Sequence, residues 1–424
     1  MTMAASDRRE AGEKSGPLGV LFGLWLFTLA LGYATRVPIA GIHPPPVING
    51  LFMGWFPFWL LLARGAGFIG DGLLFGAFRP RWMPALFVIV VSLSALLSIE
   101  PVFALLNTGV LWASLATFVY MWRTPHAVFQ GLRTQALLMA GYFIALPLVH
   151  LLMGEPMMRA GRLSLSYNTV ILSLLAFQIM GGALLMRPRW LRWALTVGVF
   201  GVALFSGTRN ILLALILTSG LFAYLQALTR RPHAALTLHR HALVAALGFA
   251  LLSAAFAVSA MGYFKLADLP GAIGRGGTSL LQRFELWANG LAIWRQYPLL
   301  GVGPGQQFLI MLGEAPLADP LPFAVKNWHA HNVVIALLAD LGLTGLLAWL
   351  MLMARGGAVI IRRWWRHRPP ELTAMLAFGG GLFIPFMLEG LAFREGNALW
   401  LLALLLALLP EDTNRTATNR SAAT

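Results

Sequence analysis

Apolar stretches of roughly twenty residues recur along the chain, separated by short polar or glycine- and proline-rich breaks. Each is long enough to cross about 30 Å of hydrocarbon as a helix. The pattern predicts twelve spans: Pro17–Ala34, Val47–Ala63, Met83–Ile99, Val102–Met121, Thr134–Met153, Asn168–Met186, Trp193–Gly207, Asn210–Leu228, Ala242–Met261, Asn332–Met353 or slightly beyond, Leu372–Leu391 and Asn397–Leu409. The seventh is short, and the tenth reads as a longer, broken element. Between the ninth and tenth the pattern lapses from Gly262 to His331. The expected organisation is a cytoplasmic tail (1–16), nine spans (17–261), an outer loop (262–331), three spans (332–409) and a second cytoplasmic tail (410–424). The first apolar segment lacks a cleavage site and reads as an uncleaved helix. The expected fold is an all-α polytopic membrane protein with one long periplasmic loop.

Composition agrees with this pattern. The chain is 58% hydrophobic and 11% charged, with a mean hydropathy of +0.73, whereas a soluble domain carries roughly a quarter charged residues. There is no cysteine, which excludes disulfides, thiolate nucleophiles and cysteine-ligated metal. The net charge of +15 would raise nucleic acid as a partner of a soluble protein. Here the basic residues lie between apolar segments, where topology and anionic membrane lipids explain them first.

With the N-terminus inside, the positive-inside rule places most of the basic residues in the cytoplasm. They are Arg8, Arg9 and Lys14; Arg64, Arg79 and Arg81; Arg123 and Arg133; Arg187, Arg189 and Arg192; Arg230, Arg231 and Arg240; Arg355, Arg362, Arg363, Arg366 and Arg368; and Arg415 and Arg420. Ten of the 31 Lys and Arg fall outside, five of them in the long loop. The other five (Arg36, Arg159, Arg162, Arg209 and Arg394) sit in short outer loops against the bias. An anionic ligand at the outer surface would account for them.

Within the long loop, Lys265 to Thr278 is glycine-rich and reads as irregular, and residues 279–297 read as an interfacial helix. Leu280, Phe284, Trp287, Leu291 and Trp294 share one face at about 100° per residue, with Gln282, Glu285, Asn289 and Gln296 opposite. The tryptophans would sit at headgroup depth. Arg283 projects to the margin of the apolar face. It either snorkels to lipid phosphate or is aimed at a lipid-linked phosphate. Gly301-Val302-Gly303-Pro304-Gly305 looks like a phosphate-cradling loop, but it lacks the following P-loop lysine and the dinucleotide spacing, so by itself it is a tight turn. His329-Ala330-His331-Asn332 closes the loop. Two histidines at i, i+2 diverge on a helix, which argues against a histidine metal pair, and the zinc-protease spacing is absent. Asn332 is a good N-cap for the helix that follows. His331 would then sit at a helix head, which favours an uncharged imidazole able to act as a general base. No Asp-x-Asp motif is present, so the expected chemistry uses arginines rather than a metal and requires no cofactor. Asp340 reads as structural, bonding within a broken tenth helix.

Taken in order, Ser206-Gly207-Thr208-Arg209, Arg283 with Trp287, Gly301–Gly305, and His329–Asn332 before a helix carrying Gly342 and Gly345 resemble the O-antigen ligase and polymerase family over roughly Trp193 to Leu350. The resemblance implies a lipid-donor glycosyltransferase fold (GT-C-like) in a Gram-negative inner membrane, with its active site on the periplasmic side. It implies undecaprenyl-pyrophosphate-linked O-antigen as donor and a lipid A–core sugar hydroxyl as acceptor, joined with inversion. By position, Arg209, Arg283 and His331 match the family's essential arginines and histidine, with His329 as an alternative base. Arg159, Arg162, Asn332, Trp287, Gly303 and Gly305 are candidate substrate contacts, the first two from the outer-charge argument alone.

Within the family, a ligase is expected over a polymerase. A protein oligosaccharyltransferase is disfavoured because the chain stops soon after its last predicted helix. A transporter or flippase would place charge near the midplane and show inverted halves. Here the charge concentrates at the outer surface.

Overall fold

A computed structural model describes residues 16–28, 46–69, 82–121, 124–152, 154, 158–159, 162–163, 169–230, 237, 240, 276–323 and 330–389. The expected spans Ala242–Met261 and Asn397–Leu409 lie outside these residues, as do Arg36, Lys326, His329 and Arg394.

The described chain is helical apart from one small hairpin. We number the helices α1 (Gly16–Thr28), α2 (Pro46–Arg64), α3 (Ala66–Phe68, one turn), α4 (Trp82–Leu96), α5 (Pro101–Met121), α6 (Pro125–Leu152), α7 (Thr169–Leu184), α8 (Arg189–Ser206), α9 (Arg209–Arg230), α10 (Gly276–Gln296), α11 (Gln306–Leu312), α12 (Val333–His367) and α13 (Pro370–Glu389). Between α6 and α7, β1 (Met158–Arg159) pairs antiparallel with β2 (Arg162–Leu163). Every expected span among the described residues is helical, most with ends shifted by a few residues, while α6 starts at Pro125 rather than Thr134. The largest shift is at α12, which runs on to His367 and so carries Arg355, Arg362, Arg363 and Arg366 as helix rather than loop. Arginine is a good helix former, and continuing the helix satisfies backbone groups that a loop would leave to solvent. α10 also starts earlier than expected, so Gly276, Gly277 and Thr278 are already helical.

Among the described residues, three helices are long and apolar enough to cross a membrane by length and composition: His126–Leu152, Asn210–Arg230 and Val333–Arg366. The outer surface is correspondingly apolar. Leu97, Val102, Leu106, Ile144, Leu151 and Leu152 are each at least 66% exposed, a surface suited to hydrocarbon rather than water.

Inside, Phe22, Trp25, Phe56 and Phe118 of α1, α2 and α5 form a fully buried aromatic knot with ring centroids 5.5–6.0 Å apart. α9 packs along α13 through small residues. A Cβ at Gly381 would collide with Thr218, and one at Gly380 would meet Leu221. Close backbone approach of this kind drives helix association where lipid supplies no hydrophobic force. Because Gly381 lies against Thr218 and Gly380 against Leu221, the two helices run antiparallel.

One end of the bundle is fixed by arginines. Arg368 caps α12 and donates through Nη1 to Leu228 O in the last turn of α9 at 2.9 Å. Arg133 Nε donates to Leu185 O at 2.8 Å, and Arg192 Nη2 to Met186 O at 2.7 Å, both just past the end of α7. The C-terminal ends of α9 and α12 therefore lie side by side.

Candidate active site

Arg368 and Leu228 bring the ends of α9 and α12 together, so both helices run away from a common level. Arg209, the first residue of α9, and the part of α12 before Gly342 therefore both lie away from the arginine-capped end. The turn into α9 is built from Ser206, Gly207 and Thr208. Gly207 is left-handed (φ 69°) and closes α8 onto Ala203 O and Leu204 O, while the buried hydroxyls of Ser206 and Thr208 lie 3.1 Å apart. A helix head attracts anions and disfavours cations, and α9 opens with an arginine as α8 does at Arg189.

Arg159 and Arg162 are paired in register across the β1–β2 hairpin. β2 packs against α8, the helix that leads to Arg209.

α10 occupies the long loop, but its faces differ from the expected amphipathic pattern. The buried stripe is Leu286, Asn289, Gly290 and Ile293, whereas Phe284 is exposed and Trp287, Leu291 and Trp294 are half-buried. Asn289, expected on a solvated face, is fully buried: its Nδ2 donates to Phe323 O at 3.0 Å and its Oδ1 accepts from Phe323 N at 3.1 Å. Two turns later Gln296 grips Asp319 in the same reciprocal way, at 3.2 and 3.0 Å. A side-chain amide carries both a donor and an acceptor, so it can substitute for a backbone rung, a use that polarity alone does not reveal.

Gly290 faces the head of α12. A Cβ there would press on Ile335 and come 3.4 Å from the Ala330 side chain. Arg283 precedes Gly290 by seven residues, which at 100° per residue is nearly the same face, about 10 Å along the axis. It is half-buried, beside Trp287. Trp287 stands edge-on to Phe284 at 5.2 Å, and its buried Nε1 has no hydrogen-bond partner among the described residues.

At the head of α12, Asn332 is the cap that the sequence predicts. Its side chain accepts from Val334 N at 2.9 Å and Ile335 N at 3.2 Å. His331, half-buried just before it, holds φ 49°. A left-handed non-glycine residue costs about 1–2 kcal/mol. Buried Ala330 on one side and the Asn332 cap on the other fix it there.

The glycine loop is spent on structure. α12 is broken at Gly342 (φ 65°, ψ −169°), and residues 298–303 fill the break. Val302 N and Gly303 N donate to Ala339 O and Asp340 O, both at 2.9 Å, while Leu343 N and Thr344 N donate to Pro298 O and Leu299 O at 2.9 and 3.2 Å. Gly303 packs where a Cβ would strike Ser98, and Gly305 (φ 78°) opens α11. Sequence reasoning missed this splice. The glycines at 301, 303 and 342 were its visible signal, but their partners lie in three separate segments.

The chain matches no curated protein. A family profile described as O-antigen ligase does match residues 194–350, the stretch from α8 through α9, α10 and the glycine loop into α12. Over that segment the chain is similar to the O-antigen ligase family.

Proposed function

We propose that this protein is an O-antigen ligase of a Gram-negative inner membrane, transferring a glycan from undecaprenyl pyrophosphate to a sugar hydroxyl of lipid A–core at the periplasmic face. The family supports an O-antigen ligase or polymerase type of activity on lipid-linked glycan. The ligase reading adds the acceptor. The observation that carries the site is the packing of α10 against the head of α12, with Arg283 on the same face as Gly290 and His331 beside Ala330.

In the reaction, His331 takes the proton of the acceptor hydroxyl. The freed oxygen attacks the anomeric carbon, and the bond from that carbon to the pyrophosphate oxygen breaks with inversion. Arg283 and Arg209 bind the pyrophosphate and stabilise the charge gathering on it by charge-assisted hydrogen bonds. Arg159 and Arg162, on their hairpin beside α8, and Trp287 with its inward-facing indole N–H extend the donor site. Asn332 holds His331 in place. His329 is the alternative base. Gly303 and Gly305 act through the loop they shape. The pinned left-handed conformation of His331 supports a functional rather than a packing role, because backbone strain concentrates at sites that use it.

The test offers purified protein, with EDTA present, a lipid-pyrophosphate glycan together with either lipid A–core or a second donor molecule. Glycosylated lipid A–core supports the ligase; an elongated glycan on undecaprenyl pyrophosphate makes it a polymerase instead. Neither product, with glycan moved across a vesicle membrane, would replace catalysis with transport.

A further inference from the structure

The break in α12 is held by more than backbone. Asp340, fully buried, accepts from Gln307 N at 3.0 Å through Oδ1 and from Gln307 Nε2 at 3.3 Å through Oδ2. Gln307 Nε2 also reaches Ala336 O at 3.4 Å. Ser94 of α4 donates to Leu300 O at 2.6 Å and lies 3.1 Å from Asp340 O. One carboxylate thus ties the start of α11 to α12 two residues before the break, and the Ser94 hydroxyl of α4 clamps the filling segment as well. The segment so clamped, 298–307, connects α10 to α11. Between α10 and the head of α12 lies an apolar cluster that includes Leu286, Ile293, Val302, Met311, Ala330 and Ala339.

We propose that Asp340 is a positioning residue of the transfer site: by locking residues 298–307 into the break of α12, it holds α10, with Arg283, against the helix head that carries His331. The physical reason is the cost of the alternative. With the segment out of place, the carbonyl of Ala339 and the amides of Leu343 and Thr344 would lose their partners within a membrane helix, and Asp340 O would keep only the Ser94 hydroxyl. Irregular backbone is tolerated at that depth only where protein satisfies it. The clamp therefore has one stable seating, and the register of α10 follows it. A misplacement of about 1 Å between reacting groups can cost on the order of a hundredfold in rate.

The role in transfer rests on the function proposed above, so the test has a readout independent of activity. The chain has no cysteine, and the Gly290–Ala330 approach of 3.4 Å is close to the Cβ separation of about 3.8 Å in a disulfide. The full-length Gly290→Cys/Ala330→Cys/Ile335→Ala protein in detergent is oxidised and the disulfide quantified. It should form readily with Asp340 present and fall at least fivefold on addition of Asp340→Ala. On the cysteine-free background, Asp340→Ala should lower kcat for glycan transfer on the order of a hundredfold, with KM for the donor changed less than threefold. Asp340→Asn, which keeps an acceptor for Gln307 N, should recover part of both signals. If Asp340→Ala does not yield folded protein, Ser94→Ala should weaken cross-linking and kcat in the same direction, by less. Undiminished cross-linking in folded Asp340→Ala, or in Ser94→Ala where that substitutes for it, overturns the proposal, whatever happens to activity. Lost cross-linking with kcat within twofold of the parent also overturns it. Full transfer by Arg283→Ala and His331→Ala would instead sink the function and leave the clamp standing as architecture.

Discussion

Arginines sit at both ends of this helix bundle, but in opposite relation to the helix dipoles. At one end the guanidinium groups of Arg133, Arg192 and Arg368 donate to Leu185 O, Met186 O and Leu228 O, at or just beyond helix C-termini. There a cation complements the partial negative charge of the helix, each contact contributing about 0.3–1 kcal/mol. Arg368 also lies over the Trp364 and Trp365 rings, 5.9 and 5.6 Å from their centroids. At the other end, Arg209 opens α9 at a positive helix head, where the same physics works against it. Arg283 sits on a half-buried helix face turned toward another helix head. The first group explains itself as architecture. The second is the group that the function proposed above assigns to a diphosphate.

That contrast can be broken at the functional end first. His331→Ala should lower transfer by about 10²–10⁴-fold, the range for a general base, with the protein still inserted and monodisperse. A transfer rate within threefold of wild type would leave the base unassigned. Arg283→Ala and Arg209→Ala should each cost on the order of a hundredfold or more, as loss of a charge-stabilising donor does. Arg209→Lys should recover only part, since lysine cannot offer the bidentate fork. Both are read as initial rates with the lipid-linked donor in proteoliposomes.

The scaffold follows. Gly342→Ala puts a side chain at positive φ against the Leu299 carbonyl, and should destabilise the protein by more than about 1 kcal/mol. Thermal unfolding in detergent reads this directly. Asn332→Ala removes the cap on Val334 N and Ile335 N at about 1 kcal/mol, and should lower both Tm and transfer because His331 is its neighbour.

The capped end should give the smallest effect. Arg368→Met should cost about 1 kcal/mol of stability and leave the transfer rate unchanged. Arg368→Gly should cost less, because glycine relieves the φ of 46° held there while losing the same guanidinium bond. If Arg368→Met abolished transfer while Arg209→Ala did not, the two ends would have been assigned the wrong way round.

The apolar runs of the sequence were enough to mark the helices, because a membrane span is a local property of length and hydropathy. α2, α5 and α9 begin and end within a residue or two of their expected limits. The N-cap at Asn332 and the break in the tenth span were legible for the same reason: each depends on residues adjacent in the chain. The face of α10 was not. Its polar side chains looked solvated, and Asn289 and Gln296 are instead committed to backbone at Phe323 and Asp319.

What the sequence determined alone was therefore what is set by neighbours in the chain: the helices and the cap. Only the tertiary structure decided what those pieces bond to. The glycine loop read by itself as a tight turn, but only the fold shows that its amides meet the carbonyls freed at Gly342. A broken helix buried among others must satisfy its orphaned backbone with whatever segment folds against it, and no local pattern names that segment in advance.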